Sequence, residues 1–247
     1  MDLNIKESVK EKTLNYLNSD ISPILLYGQH GVGKFRFIVD LLKDSDLHVI
    51  TPSLSVSELK SVIFDVKSKV NKRYLLVRDI ENLSAQCCDV LLKLFEEHDA
   101  QLKIIGISYD WGNIPEALRS RFRLYVKWPC IEKNVFYSIS KDELAIKLSY
   151  GSFEVFNAAF GDDRLNAFYE YLIRDDWPLQ AISQKYPEIL DDKEMSESRK
   201  ICIRNIFILA SRSSKYKNSM LKLALSFQNG KTNFKNYYYS IAISEHA

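Results

Sequence analysis

The stretch Tyr27-Gly28-Gln29-His30-Gly31-Val32-Gly33-Lys34-Phe35 constrains this chain more than any other. An apolar run, Pro23-Ile24-Leu25-Leu26-Tyr27, leads into it, and a second, Phe37-Ile38-Val39-Asp40-Leu41-Leu42, leads out. That pattern predicts a strand, a glycine-rich turn and a helix. Gly28, Gly33 and Lys34 fit G-x-x-x-x-G-K, a spacing in which loop N–H groups at a helix N-terminus cradle phosphates and the lysine reaches the outer oxygens. Phe35 stands where this pattern has a Ser or Thr hydroxyl for magnesium. The plain alternative is a strand-to-helix turn that binds nothing.

Alternation of strand and helix patterns continues to about residue 129. Residues 4–18 carry an amphipathic helical pattern, and residues 47–50, 74–77, 102–107 and 124–126 read as buried strands. Ser55 and Glu58 form an S-x-x-E capping box that starts a helix through Leu59, Val62, Ile63, Val66 and Val70. Residues 84–97 predict a helix with Val90, Leu91, Leu94 and Phe95 inward, and residues 116–121 a short one. The expected fold is α/β, a parallel sheet with helices on both faces. From Ile131 the period is helical: Ser140 and Glu143 are expected to cap a helix that Gly151 breaks, and residues 153–160 form another. Pro178 and Pro187 mark a turn-rich region, residues 191–194 a charged link, and residues 196–211 and 215–228 two long helices with Ile201, Ile208, Leu221 and Leu225 among their apolar positions.

With 247 residues, 46% of them hydrophobic, the chain can build one large or several small cores. A formal net charge of +2 gives no general attraction to nucleic acid, so any such role needs a local patch. No apolar run approaches the roughly 18 residues that span a bilayer, and residues 1–7 lack the charge pattern of a secretory leader. A cytoplasmic protein with no membrane contact is expected. Cys87, Cys88, Cys130 and Cys202 lack zinc-ligand spacing and a disulfide framework, so they are expected to be buried thiols with no zinc. His30 is expected to face solvent.

Two further motifs follow the loop in order. Leu91-Leu92-Lys93-Leu94-Phe95-Glu96-Glu97 matches L-L-K-x-L-E-E, and Leu118-Arg119-Ser120-Arg121-Phe122 matches an S-R-C motif with Phe122 in place of Cys. With these, residues 20–160 resemble the clamp-loader ATPases of the AAA+ superfamily, most closely the delta-prime subunits of the bacterial DNA polymerase III clamp loader. The resemblance implies an AAA+ P-loop domain over residues 1–130, a helical lid over 131–161 and a helical C-terminal collar over 162–247. It implies ATP or ADP on Gly28, Gly31, Val32, Gly33, Lys34 and Phe35. It also implies a hetero-oligomer with other clamp-loader subunits, acting on a sliding clamp and primer-template DNA. The four-cysteine zinc module of many delta-prime chains is missing.

The same resemblance exposes departures. Placing Ile80-Glu81-Asn82-Leu83 on the end of D-E-A-D-x-L puts Arg78 at the magnesium-holding aspartate and Asp79 at the water-polarising glutamate. The polar sensor position falls at Ser108 or Tyr109, and the lid motif G-x-x-R reads Gly151-Ser152-Phe153-Glu154. Together they imply a subunit that does not hydrolyse ATP and does not take Mg²⁺, with Lys34 either holding nucleotide or pairing with a carboxylate such as Asp79. Arg121 is implied to act in trans as an arginine finger, a device that accelerates hydrolysis by roughly 10³–10⁵ in GTPases. A surface salt bridge is its plain alternative. Two rival functions stay open: an active AAA+ ATPase, and a helicase-loader-like DNA-binding adaptor. The adaptor would use the acid-free residues 211–240, where Arg212, Lys215, Lys217, Lys222, Lys231 and Lys235 accompany Tyr237-Tyr238-Tyr239. Against it, Leu221, Leu223, Leu225 and Phe227 demand burial, as in a collar.

Overall fold

The apolar runs become five strands, β1 (Ile24–Tyr27), β2 (Asp46–Ile50), β3 (Arg73–Val77), β4 (Leu102–Ser108) and β5 (Leu124–Lys127). All pair in parallel, in the order β2-β3-β4-β1-β5. The computed structural model describes residues 7–97, 99–174, 181–187, 195–212 and 217–229. They fall into two units, Met1–Ile131 and Glu132–Ala247.

Side chains alternate along each strand, so the sheet feeds two cores. Leu25, Leu75, Val77 and Ile104 pack on one face with Leu59, Ile63 and Val66 of α3 (Val56–Ser68) and Leu91, Leu94 and Phe95 of α4 (Ala85–Glu96). Ile24, Leu26, Leu76, Ile105 and Ile107 pack on the other with Leu17 of α1 (Glu7–Asn18) and Ile38 of α2 (Lys34–Leu41). The three inner strands β1, β3 and β4 are therefore buried on both sides, which is why these segments read as continuous apolar runs, while β2 and β5 at the edges are only partly covered. Cys87 and Cys88 lie in the first of these cores.

The capping box forms as the sequence predicts: Glu58 N–H donates to Ser55 Oγ at 3.3 Å, and Ser55 N–H to Glu58 Oε2 at 2.8 Å. The helix stops earlier than expected. Lys69 turns extended and its ammonium meets both oxygens of Asp46 at 2.8 Å, which leaves Val70 87% exposed.

Past α5 (Glu116–Arg119) and β5, the second unit is helical: α6 (Lys133–Ile139), α7 (Glu143–Ser149), α8 (Phe153–Ala159), α9 (Asp163–Ile173), α10 (Ala181–Lys185), α11 (Glu197–Ala210) and α12 (Lys217–Asn229). Phe136, Phe156, Phe168 and Phe207 are buried there, and Asn205 donates to the Leu148 carbonyl at 2.7 Å. Three expectations are corrected. Asp142, not Ser140, caps α7, accepting from Ala145 N–H at 2.9 Å, while Ser140 Oγ accepts from Asp142 N–H. The region marked by Pro178 and Pro187, read as turn-rich, contains α10, and ahead of it lies α9, started by Asp162, which accepts from Arg164 and Leu165 N–H and pairs with Arg199. Leu225 is 58% exposed although its neighbour Leu223 is buried. Residues 191–194, Lys215 and the basic-aromatic stretch from Lys231 onward lie outside the described residues. Among the described residues, no helix is long and apolar enough to cross a membrane.

Candidate functional site

The strand order places the end of β1 between the ends of β4 and β5, at the edge of a parallel sheet where chain reversal opens a crevice for ligands. The phosphate-type loop occupies that edge. Gly28 N–H donates to the Ser108 carbonyl at 3.2 Å, and the backbone of Trp128 passes so close that a Cβ on Gly28 would sit 2.6 Å from its carbonyl oxygen. Gly31 and Gly33 have φ of 71° and 86°, in the left-handed region that glycine enters without strain. The indole of Trp128 donates to the Val32 carbonyl at 3.2 Å, fixing the loop from β5.

Helix α2 opens on Gly33 with no side-chain cap and no acid in its first turn. Its first N–H groups and the positive end of its dipole therefore face the crevice, an arrangement suited to an anion. Lys34 heads the helix, only 5% exposed, and donates to the carbonyls of Gly28 at 2.5 Å and Gln29 at 2.7 Å. Gly28, Gly31, Val32, Gly33 and Lys34 thus come together as one cradle, and these residues fit a polyphosphate.

They do not fit magnesium. Arg78 follows β3 directly, and its guanidinium carbon lies 4.1 Å from the centre of the Phe35 ring. The two positions where the resemblance would have magnesium ligands touch each other, and neither offers an oxygen. Mg²⁺ demands oxygen donors at roughly 2.0–2.1 Å. The Asp79 carboxylate lies 3.8 Å from Arg78, on a residue held at φ 47°.

Glu81 joins β3 to the end of β4. Its Oε1 accepts from the N–H groups of Tyr109 at 2.8 Å and Asp110 at 3.1 Å, and burial holds its carboxyl above the ordinary value of 4.5 despite those bonds. Tyr109 accepts from Asn82 Nδ2 at 2.8 Å and meets the His30 ring edge-on at 5.1 Å. His30 is accordingly half-buried against a ring rather than facing solvent. Ser108 is wholly buried at the strand end. In the other unit, Glu154 stands in the first turn of α8, where an acid suits the helix dipole.

Arg121 lies elsewhere. It follows α5 and precedes β5, and Arg123 N–H donates to the Pro23 carbonyl at 3.0 Å, beside the start of β1. The length of β1, about 16 Å from Pro23 to Gly28 at strand rise, separates this edge from the loop. The Nε and Nη2 of Arg121 both reach Glu96 Oε1, at 3.1 and 2.7 Å, with the side chains 46% and 55% exposed. Phe122 is buried, its ring 5.2 Å from that of Phe95. Gly106 makes room for it, since a Cβ there would come within 2.7 Å of the ring.

Sequence reasoning found Phe35, Arg78 and Arg121 singly but missed their partners. The stacking of Arg78 on Phe35, the Glu96 bridge and the Trp128 clamp come from contacts between elements distant in sequence. The one available signal was that both metal-holding positions change together.

No protein-family model matches the chain, and no curated protein matches it. Among solved structures it is similar to a DNA polymerase III gamma subunit-related protein of Thermotoga maritima, at 15% identity over 96% of this chain and 98% of that one, with a TM-score of 0.55. It also matches the Thermotoga maritima RuvB Holliday junction branch migration motor, at 17% identity over 74% of this chain and 77% of that one, with a TM-score of 0.48. The first likeness is one of fold: an α/β architecture with a five-stranded parallel sheet flanked by helices and followed by a helical part.

Proposed function

We propose that the chain is a non-hydrolysing, delta-prime-like subunit of a DNA polymerase clamp loader. It holds one place in a hetero-oligomeric ring that opens a sliding clamp and sets it on primer-template DNA in the cytoplasm. In this reading residues 1–130 form the AAA+ P-loop domain, 131–161 the lid and 162–247 the collar. The loop from Gly28 to Phe35 holds ATP or ADP without turning it over, and Arg121 completes the ATP site of a neighbouring subunit.

One observation carries the reading: an exposed arginine at the sheet edge opposite its own phosphate loop, paired with a loop whose magnesium positions are closed by Arg78 and Phe35. Phosphoryl transfer depends on charge neutralisation at the nucleotide. With Phe35 and Arg78 at its metal positions this loop lacks that from magnesium, while Arg121 can supply it only to another chain. The likeness in fold to the Thermotoga protein over nearly the whole chain supports the same assignment. The exposed Leu225 on α12 supports a C-terminal surface that packs against partners.

The test is assembly. Co-purification with a polymerase clamp loader, with ATP turnover of that complex lost on Arg121→Ala, supports the reading. Magnesium-dependent turnover by the isolated chain, abolished by Lys34→Ala, would overturn it in favour of an active ATPase. Salt-sensitive binding of the isolated chain to single-stranded DNA, with no partner subunits, would favour the adaptor.

A further inference from the structure

A loop that holds nucleotide must neutralise a polyphosphate, and here the two positions where the resemblance would have magnesium ligands, Phe35 and Arg78, carry no oxygen donor. Resting on that nucleotide reading of the loop, we propose that Arg78 takes over the charge of the metal: the cradle from Gly28 to Lys34 takes the diphosphate of a nucleoside di- or triphosphate free of divalent cation, with the Arg78 guanidinium, stacked on Phe35, as the second cation beside Lys34.

Three observations converge on this. The guanidinium sits over the ring of the residue directly after Lys34, on the first turn of α2, and so beside the N–H groups that face the crevice. The contact with the ring uses none of the N–H donors: among the described residues, the Arg78 side chain donates no hydrogen bond, and Asp79 Oδ2 at 3.8 Å is beyond hydrogen-bond reach. A planar fork held this way is the arrangement that meets two phosphate oxygens at once.

Electrostatics supplies the third. A cation near a helix N-terminus is unfavourable, because the dipole already places positive charge there. Here Lys34 and Arg78 both flank that end, the first turn of α2 contains no acid, and the Asp79 carboxylate at 3.8 Å offsets one of the two charges in part. A metal-free diphosphate resolves the excess. A magnesium-bound one brings two more positive charges towards the guanidinium and is opposed by it. Phe35 is thus the seat of the replacement cation rather than a simple loss.

The full chain is titrated calorimetrically with ADP, first in excess EDTA and then in excess Mg²⁺. Binding is expected in EDTA, unchanged or weakened when magnesium is added. Arg78→Ala weakens the EDTA affinity by about tenfold or more, and Arg78→Lys, which keeps charge but loses the fork, by less. Phe35→Thr combined with Arg78→Asp restores both oxygen donors and makes ADP binding depend on magnesium. Should a variant fail to fold, the wild-type comparison in the two solutions still decides. The inference is overturned if wild type binds ADP only with magnesium, if it binds none in either solution, or if Arg78→Ala binds more tightly, as removal of a plug would. The clamp-loader reading is judged apart: a ring that loses turnover on Arg121→Ala while this chain holds no ADP keeps that reading and removes only the role of Arg78.

Discussion

The two edges of the sheet differ in how their charged side chains are held. At the loop edge Lys34 is buried on backbone carbonyls and Glu81 is tied to two amides, with the partly exposed Arg78 lying over an aromatic ring. At the opposite edge Arg121 is half-exposed and held by one surface carboxylate. Buried, multiply bonded charges are costly to move, whereas an exposed ion pair of this kind contributes about 0.2–1 kcal/mol and is readily exchanged for another partner. The first edge is built to stay as it is, and the second to let go.

The largest effect that would sharpen this contrast lies at the exposed edge. In an assembled ring, Arg121→Ala is expected to slow ATP turnover by about 10³ or more, with the chain's own melting temperature nearly unchanged; a rate within a few-fold of wild type would make Arg121 an ordinary surface arginine. Next comes the loop edge, where Gly28→Ala drives a Cβ into the Trp128 carbonyl and should destabilise the first unit by about 2–4 kcal/mol in a denaturant titration.

Smaller effects test how tightly the loop edge is held. The Glu81 carboxyl is raised by burial, so the folded chain takes up its proton before the unfolded chain does as pH falls towards 4.5. Wild type should therefore gain on Glu81→Gln as pH falls from neutral towards 4.5, and hold that gain below it, as read from paired thermal melts across pH. A difference that does not change with pH would show that the amide bonds, rather than the charge, govern this carboxyl. Smallest of all, Glu96→Ala should cost less than about 1 kcal/mol of stability while freeing Arg121. A loss of several kcal/mol would mean that the Glu96 bridge is as fixed as the loop edge and would erase the contrast.

Much of the first unit was legible because each buried strand is a short apolar run bounded by turn residues, and because Ser55 and Glu58 mark a helix start through purely local bonds. The end of α3 was not, since it is decided by Lys69 reaching Asp46 across to another strand. Helix α9 was hidden by the prolines beyond it, although Asp162 with Leu165, Phe168 and Leu172 carried the local signal. Leu225 shows the limit from the other side: apolar character predicts a wish for burial but not whether this chain alone supplies the cover. At the site, the glycine spacing revealed the loop, and Phe35 and Arg78 stood out at the two positions where the resemblance would have magnesium ligands. That Phe35 and Arg78 face each other required the fold, because only the sheet brings the end of β3 beside the start of α2.

The indole of Trp128, hydrogen-bonded to the Val32 carbonyl inside the loop, also gives the molecule an optical gauge. Buried indole emission shifts with the polarity and hydrogen bonding around its nitrogen, so any rearrangement of the cradle is written directly into the ultraviolet fluorescence of the chain. The sequence has three tryptophans, and with Trp111 and Trp177 changed to Phe the remaining signal belongs to the residue touching Val32. Filling or emptying of the loop could then be followed in real time, with no dye attached.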